Sequence, residues 1–419
     1  MSGFVGHGRA QVTLPEELVT VDGHLTAILD QLPTPEPIEL RLSDALGLVL
    51  AEDVVSEVTV PAWANSAMDG YAVVAADLEG ATVDAPRRLP VVGEVPAGRP
   101  EITSLAAGRC VRIMTGAPLP AGADAVVPVE QTSGARDSVA FHVAVAPGAH
   151  VRGAGEDLRP GQPLTTAGRR LGPADIGLLA TAGVTRVVCI PPPRVVVLST
   201  GDELVPAGDT PGPGEIRDAN GPMLAAMVRA AGGVPFSAGI VRDDHTSLAH
   251  ALDTNLGHAD LFVCTGGASA GTRDLLPDVL AALGDVSAVK VAMKPGMPQI
   301  RGRVAGRTVI GLPGNPVSAY VSFEVFVRPA IRRLQGRRDV QRPLVTATLA
   351  EALHAPPGKR GYARVRLHRD GAGWTAAPTG PQGSHVVTSI ALADGLAVVP
   401  EDVDQIPAGA PVQVHLLID

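Results

Sequence analysis

Between about Arg194 and Leu334, short β-branched runs alternate with segments whose apolar residues recur every three to four positions. RVVVLST (194–200) predicts a strand. The following GPMLAAMVRAAGG predicts a helix, because Met223, Leu224, Met227, Val228 and Ala231 share one face. Pro222 suits its first turn and Gly232-Gly233 its end. VPFSAGIV is a second strand, and HTSLAHALDTNLG a second helix with Leu248, Ala251, Leu252 and Leu256 on one face. ADLFVCTG then leads to DLLPDVLAALG, where Pro277 is tolerated in the first turn. VSAVKVAM and RTVIGLPG are further strands, and Pro316 opens the long helix PVSAYVSFEVFVRPAIRRLQG. Near-continuous apolar strands alternating with helices predict a parallel sheet covered on both faces.

Residues 341–419 follow another rhythm. LVTATLA, YARVRLH, HVVTSI, GLAVVP and VQVHLLI are short strand candidates separated by Gly/Pro turns, which predicts a small β-barrel or sandwich. Residues 57–158 are also β-rich, with repeated PAG and APG turns. Between these regions GPADIGLLATAGVTRVVCI (172–190) reads as a helix followed by a strand, and Pro191–Pro193 as a stiff connector. LSDALGLVLAEDVV (42–55) predicts another short helix running into a strand. The fold class expected is α/β plus β, multidomain: a parallel-sheet α/β domain, a β-rich domain and a C-terminal β-barrel.

Composition narrows the function classes. A chain of 419 residues needs more than one hydrophobic core. Cys110, Cys189 and Cys264 form no CxxC pair, which speaks for buried free thiols in a reducing compartment and against a Cys-rich zinc site. A net charge of −9, with no basic run longer than pairs such as Arg332-Arg333 and Arg337-Arg338, argues against nucleic-acid binding. No window approaches the roughly 18 apolar residues of a membrane span. The first residues also lack a secretory pattern, so no membrane association and a cytoplasmic location are expected.

Four polar loops follow predicted strand ends, the edge at which open α/β sheets bind ligands. GLPGNPVS (311–318) is either a tight strand–helix turn or an anion site at a helix start. CTGGASAGTRD (264–274) is neither a GxGxxG nor a GxxxxGK[ST] fingerprint, yet its glycines and Thr265, Ser269 and Thr272 suit a phosphate cradle. Asp274 reads as a helix cap or as a carboxylate for a divalent cation. With STGDEL (199–204) and VRDDH (241–245), the loops gather Glu203, Asp243, Asp244 and Asp274, hard oxygen ligands suited to Mg²⁺. Lys290 and Lys294 would add positive charge, and period two would put them on one face if VKVAMK is a strand. NSAMDGYAV (65–73), around Asp69, and RGAGEDLRPGQ (152–162) read by themselves as turns. No HExxH is present, so a zincin site is not supported.

PAWANSAMDGYAV, IMTGAPLPAGADAVVPVE, GEDLRPG, STGDEL, the GGxSxG loop, KPGxP and GLPGNPVSA stand in one order along the chain. In that order they resemble the bacterial molybdopterin molybdenumtransferase family, and the chain also looks like the E domain of gephyrin. The likeness extends over about residues 20–419. It implies an enzyme that inserts molybdate into adenylylated molybdopterin and releases AMP, with Mg²⁺ as cofactor. It also implies a homodimer, and a molybdopterin adenylyltransferase as upstream partner.

The implied domains are a molybdopterin-binding α/β domain at 17–36 plus 185–340, a small connecting domain at 37–56 plus 159–184, a β-rich domain at 57–158 and the barrel at 341–419. By motif position the resemblance assigns catalytic roles to Asp274, Asp243, Glu203, Asp69, Lys290 and Lys294, with Asp274, Asp243 and Glu203 as metal ligands. Substrate binding falls to Thr115, Arg152, Asp157, Gly266, Gly267, Ser269, Pro313, Gly314, Asn315, Ser318, Arg364 and Ser384. Two departures stand out: Met297 in KPGMP where many members have lysine, and GGASAG in place of GGVSVG. Losing the lysine removes a cation unless Lys290, Lys294 or Arg301 compensates. It leaves room for a paralogue with changed metal preference, such as tungstate. A non-catalytic pterin-binding scaffold and a stand-alone adenylyltransferase are the other readings.

Overall fold

The computed structural model describes residues 17–98, 103–266, 275–371 and 373–417. The chain divides into two compact units: Glu39–Cys189, and the remainder up to Ile38 joined to Ile190–Asp419. The division at Cys189 falls just ahead of Pro191–Pro193.

The larger unit contains a seven-stranded sheet. Its strand order is Leu18–Val19, Gly284–Val291, Pro298–Val304, Arg307–Leu312, Leu261–Thr265, Arg194–Thr200 and Val234–Val241. The last four are parallel neighbours. Alternate residues serve two cores: Val195, Val197, Leu261, Val263, Ile310 and Leu312 point into one, and Val196, Leu198, Phe262, Cys264 and Val309 into the other. Helices Val21–Asp30 and Asn220–Ala230 contribute to the first core, His245–Asn255 and Leu275–Leu283 to the second. Burial on both faces is why these strands are apolar without interruption, each buried aliphatic side chain contributing on the order of 1.5–3 kcal/mol.

The sheet is mixed rather than wholly parallel. Pro298–Val304, a strand not expected from the sequence, runs antiparallel to both neighbours. Val304 and Arg307 pair across a two-residue turn in which Ala305 (φ 48°) and Gly306 (φ 80°) are left-handed, and so short a hairpin permits only antiparallel pairing. The long helix expected from Pro316 is also interrupted. Helical segments Pro316–Ser322 and Arg328–Leu334 flank a π-helical turn at Phe323–Val327. Pro329 has no N–H to donate and its ring crowds the preceding turn, which widening relieves.

Five strands close the C-terminal barrel in the cyclic order Arg360–Asp370, Gly373–Pro378, Leu344–Leu349, Pro411–Leu416 and Gly395–Val399. Met293–Lys294 leaves the α/β sheet to pair with Arg360 and Gly361. HVVTSI is not a strand: it forms a loop and the short helix Thr388–Ala391, in which Ser389 is buried.

The smaller unit holds a five-stranded sheet ordered Ser138–Phe141, Arg87–Val95, Cys110–Ile113, Gly70–Val73 and Ala125–Pro128. Helix Pro173–Thr181 caps its own start, where Asp175 accepts the Gly172 N–H at 2.8 Å. The helix expected within 42–55 is only a 3₁₀ turn at Leu42–Asp44, followed by two-residue strands; Gly47, at φ 81°, breaks the pattern. All three cysteines are free and buried. Among the described residues no helix is long and apolar enough to cross a membrane.

Candidate functional site

Four parallel strands end side by side at Thr200, Val241, Thr265 and Leu312, because Thr200 is in register with Val241, Ser199 with Thr265 and Thr265 with Leu312. The loops singled out in the sequence therefore leave one sheet edge at one level. Gly266 is left-handed (φ 101°), and a Cβ there would lie 2.0 Å from the Thr200 carbonyl oxygen, so only glycine lets this loop cross its neighbour. A Cβ built on Gly314 would lie 3.6 Å from the Gly266 Cα, which measures how closely the two loops converge.

Asn220 ties them together. Its Nδ2 donates to Thr265 Oγ1 at 3.0 Å and to the Gly314 carbonyl at 2.7 Å, while the Thr265 hydroxyl donates to the Pro313 carbonyl at 3.1 Å. Asp218 fixes the approach to Asn220 by accepting from the Ser199 hydroxyl at 3.2 Å and the Gly221 N–H at 3.0 Å. Neither residue was singled out by the sequence, where DANGP looks like an ordinary helix entry. Thr265 is a fastener here, its hydroxyl already spent within the fold.

The acidic residues divide by role. Asp243 accepts from the Thr200 hydroxyl, and its N–H donates to Asp202 at 3.3 Å. Glu203 folds back over Gly201, where an added Cβ would meet its Oε2 at 2.6 Å. Asp244, grouped with the metal carboxylates in the sequence, caps helix His245–Asn255 by accepting the Ser247 N–H at 2.8 Å. These hydrogen bonds, the Ser247 N–H first, hold its carboxyl below the usual range. Among the described residues no three acidic, histidine or cysteine side chains could hold a metal ion together. Asp274, Gly267 and Ser269 lie outside the described residues.

A second constellation lies between the α/β domain and the barrel, in a cleft of about 760 Å³. Lys294, Pro295, Gly296 and Ser318 line one wall; Arg364, Gln382, Ser384, His354, His385 and Glu351 line the other. Gly296 is left-handed (φ 101°), and a Cβ there would strike Ser322 Oγ at 2.6 Å, so the KPG turn sits directly on the helix.

Arg364 is only 1% exposed. Its Nε donates to Ser389 Oγ at 3.1 Å, its Nη2 to the Gly383 carbonyl at 3.2 Å and its Nη1 to the Tyr362 carbonyl at 3.5 Å. Those acceptors are all neutral. Burial lowers its pKa to about 10, which still leaves it protonated at neutral pH. Gln382 clamps the Arg364 backbone, accepting its N–H at 2.9 Å and donating to its carbonyl at 3.2 Å. Among the described residues no carboxylate pairs with it, and a desolvated cation held beside a cleft is chemically suited to an anion.

The helix start at Pro316 joins this cleft, since the Val317 N–H donates to the Ser384 carbonyl at 3.2 Å. One donor expected for an anion at that terminus is thus committed to the barrel. Asn315 precedes the helix without capping it and is exposed.

The expectation that Lys290 and Lys294 share one strand face fails. Lys290 belongs to the α/β sheet, in register with Leu18 and Pro298, whereas Lys294 pairs with the barrel and lines the cleft. The chain changes sheets at Ala292, so the two-residue period does not carry across. Arg301 is occupied elsewhere, its Nη1 lying 3.0 Å from His24 Nδ1.

In the smaller unit Asp69 is not closing a purely local turn. Its Oδ1 accepts the Thr115 N–H at 2.7 Å and the Thr115 hydroxyl at 2.9 Å, across 46 positions of sequence. Those bonds, the backbone one first, lower its pKa. Arg152 pairs with Asn65 on a neighbouring two-residue strand, and the Asp157 N–H donates to the Val60 carbonyl at 3.0 Å. Met68 and Met114, each adjacent in sequence to this pair, are 39% and 44% exposed.

Three family models match in succession: the MoeA N-terminal region (domain I and II) over residues 19–183, a probable molybdopterin binding domain over 196–333, and the MoeA C-terminal region (domain IV) over 346–417. The chain is 44% identical to molybdopterin molybdenumtransferase 2 of Mycobacterium tuberculosis over 402 residues, covering 94% of this chain and 98% of that one. It is 34% identical to the molybdopterin molybdenumtransferase of Haemophilus influenzae, covering 96% and 100%. The crystal structure of the molybdopterin biosynthesis MoeA protein from Pyrococcus horikosii superposes with a TM-score of 0.83 at 33% identity, covering 96% and 100%.

Proposed function

Since this chain belongs to the molybdopterin molybdenumtransferase family, we propose that it inserts molybdenum from molybdate into adenylylated molybdopterin and releases AMP. The observation that carries the reading is Arg364, a buried guanidinium with neutral partners on the wall of a cleft that also holds Lys294. Two cations balance the two charges of molybdate. The planar Arg364 fork suits paired hydrogen bonds to a tetrahedral oxyanion, with the Ser384 and Ser318 hydroxyls beside it.

The nucleotide is assigned to the sheet edge, where Gly266, Pro313 and Gly314 bring backbone close and Asn220 fixes the spacing of two loops. Backbone held at that spacing can follow a phosphate chain without side-chain bulk. The charge of Asp243 is oriented by Thr200. Asp243 and Glu203 alone do not make a magnesium site, so the proposed Mg²⁺ requirement depends on Asp274, and no step is derived through the metal.

Asp69, Thr115, Arg152 and Asp157 are proposed to act on the substrate from a second copy of the chain. A homodimer is part of this proposal, and Met68 and Met114, exposed beside Asp69 and Thr115, present apolar surface for the second copy to cover. A cytoplasmic location and supply of the nucleotide by a molybdopterin adenylyltransferase belong to the same proposal.

The test is AMP release from adenylylated molybdopterin, with Mg²⁺, over a molybdate titration and a parallel tungstate titration. Release that requires molybdate and disappears in Asp274→Asn, with nucleotide binding retained, is the expected result. Binding without molybdate-dependent release would overturn the transferase reading in favour of a scaffold, and release driven by tungstate alone would mark a paralogue of different metal preference.

A further inference from the structure

Position 297 is a neutral methionine, in the loop that follows the cationic, cleft-lining Lys294. Across that loop stands a lysine from another part of the fold. Lys359 belongs to the barrel turn that precedes strand Arg360–Asp370, and its Nζ lies 3.5 Å from Met297 Sδ.

Two features hold it there. The turn is hydrogen-bonded, Lys359 N–H to the Pro356 carbonyl at 3.3 Å and Gly358 N–H to the Glu401 carbonyl at 3.0 Å. The next two residues, Arg360 and Gly361, are then locked in register beside Met293 and Lys294. The turn and the KPG loop are therefore fixed against each other by strand pairing.

The ammonium is also electrostatically unspent. Carboxylates are present nearby, but Arg360 takes them: it bonds Asp22 at 2.9 and 2.8 Å and Glu401 at 2.8 Å. Among the described residues the Lys359 amine has a thioether as its partner, a weak and uncharged acceptor that positions the amine without cancelling its field. Lys359 and Met297 stand behind the cleft wall rather than in it: their chain neighbours Gly296, Ala355 and Gly361 line the cleft. The other candidate, Arg301, is turned to His24.

We propose that Lys359, seated on Met297, is a specificity-determining residue that supplies the oxyanion cleft with the positive charge residue 297 does not carry. The inference rests on the reading of that cleft as the oxyanion site. Added to Lys294 and Arg364 on the walls, its field from behind the wall brings the site under three cations. Set against the Glu351 carboxylate on the same cleft, three cations match a dianion, and a doubly charged tetrahedral oxyanion is favoured over a singly charged one because each added unit of ligand charge gains from all three cations.

The experiment is equilibrium dialysis of molybdate, and of perchlorate as a monovalent tetrahedral control, against the full-length protein at fixed ionic strength. It compares wild type, Lys359→Ala, Lys359→Arg, Met297→Lys/Lys359→Ala and Arg364→Ala, each checked for an unchanged circular-dichroism melt.

Lys359→Ala is expected to weaken molybdate about tenfold, the scale of one lost charge contact, and perchlorate much less. Lys359→Arg should retain affinity, and Met297→Lys should restore it in the Lys359→Ala background. Retained molybdate affinity in Lys359→Ala, with affinity lost in Arg364→Ala, would overturn this inference alone. Weakening that neither Lys359→Arg nor Met297→Lys repairs would also overturn it, since charge at that point would not be the cause. Wild-type protein that binds no molybdate, or an Arg364→Ala variant that binds it normally, would overturn the oxyanion-site reading and the inference with it.

Discussion

Asn220 donates to the carbonyl of Gly314, 94 residues away in sequence, at 2.7 Å, and the same amide nitrogen reaches Thr265. One side chain at a helix start thus sets the distance between two strand-end loops. Among the described residues its buried Oδ1 has no hydrogen-bond partner, and the amide serves these loops through its donor side.

Asn220→Ala is expected to leave the Gly314 carbonyl and the Thr265 hydroxyl without that donor, at a cost of about 1–3 kcal/mol. Urea unfolding measures it. The loops should also separate, so KM for the nucleotide should rise more than kcat falls. A stability loss with KM unchanged would make Asn220 a fastener of the fold and nothing more.

The orientation of Arg364 depends on Ser389, a residue the sequence pattern had placed in a strand. Ser389 Oγ accepts from Arg364 Nε and donates to the Val386 carbonyl at 2.6 Å. Ser389→Ala should lower molybdate affinity several-fold while the charge of Arg364 persists, and Ser389→Thr, which keeps the hydroxyl, should recover it. Arg364→Lys keeps charge but loses the fork, and is expected to bind at least tenfold more weakly. Isothermal titration of molybdate reads all three.

His24 is fully buried, edge-on to Phe326 at 4.7 Å between ring centroids, with Nδ1 facing the Arg301 guanidinium. Arginine only donates, so Nδ1 accepts and the proton is on Nε2. Burial first, and Arg301 second, lower its pKa to about 3. The unfolded chain, with His24 near 6.5, binds a proton between pH 6.5 and 3 that the folded chain refuses. This contribution to stability is complete above pH 6.5 and is lost as pH falls, at about 1.4 kcal/mol per unit. Chemical denaturation from pH 7 to 4 should show that slope, reduced by one proton in His24→Phe; an unchanged slope would mean that His24 titrates normally in the fold.

Asp69 and Thr115 allow charge to be separated from structure. Asp69→Asn keeps an oxygen for both Thr115 bonds and removes the negative charge. The melting temperature should therefore move by less than about 2 °C, as for other surface changes, while molybdate-dependent AMP release falls at least tenfold. Because the carboxyl is held below its ordinary pKa, the charge persists as pH falls through 5, so mild acid should not mimic the variant. Activity retained in Asp69→Asn would reduce the pair to a loop clasp.

Much of the α/β domain was legible from local pattern, because a strand buried on both faces must be apolar throughout and a helix must keep one apolar face. Strand ends and their polar loops followed, and with them the sheet edge that carries Gly266 and Gly314. The barrel and the second β-rich region were readable from turn spacing, though HVVTSI misled: its β-branched residues give no sign that Ser389 is needed inward, under Arg364. The antiparallel hairpin at Ala305-Gly306 was missed because its turn lacks the usual Asn-Gly signal, and the helix expected at 42–55 gave way to Gly47.

By itself, the sequence determined most strands and helices of the α/β domain and which loops are polar, since those follow from a few neighbouring residues and the need to bury apolar surface. Only the tertiary structure decided which polar groups meet. Asn220 with Gly314, Arg364 with Ser389 and Lys359 with Met297 are all contacts across the fold, and hydrogen bonds and fields act through a few ångströms of space rather than along the chain. The family resemblance implied a lysine where this chain has Met297; the three-dimensional arrangement brings the Lys359 amine from the barrel to 3.5 Å from the Met297 sulfur.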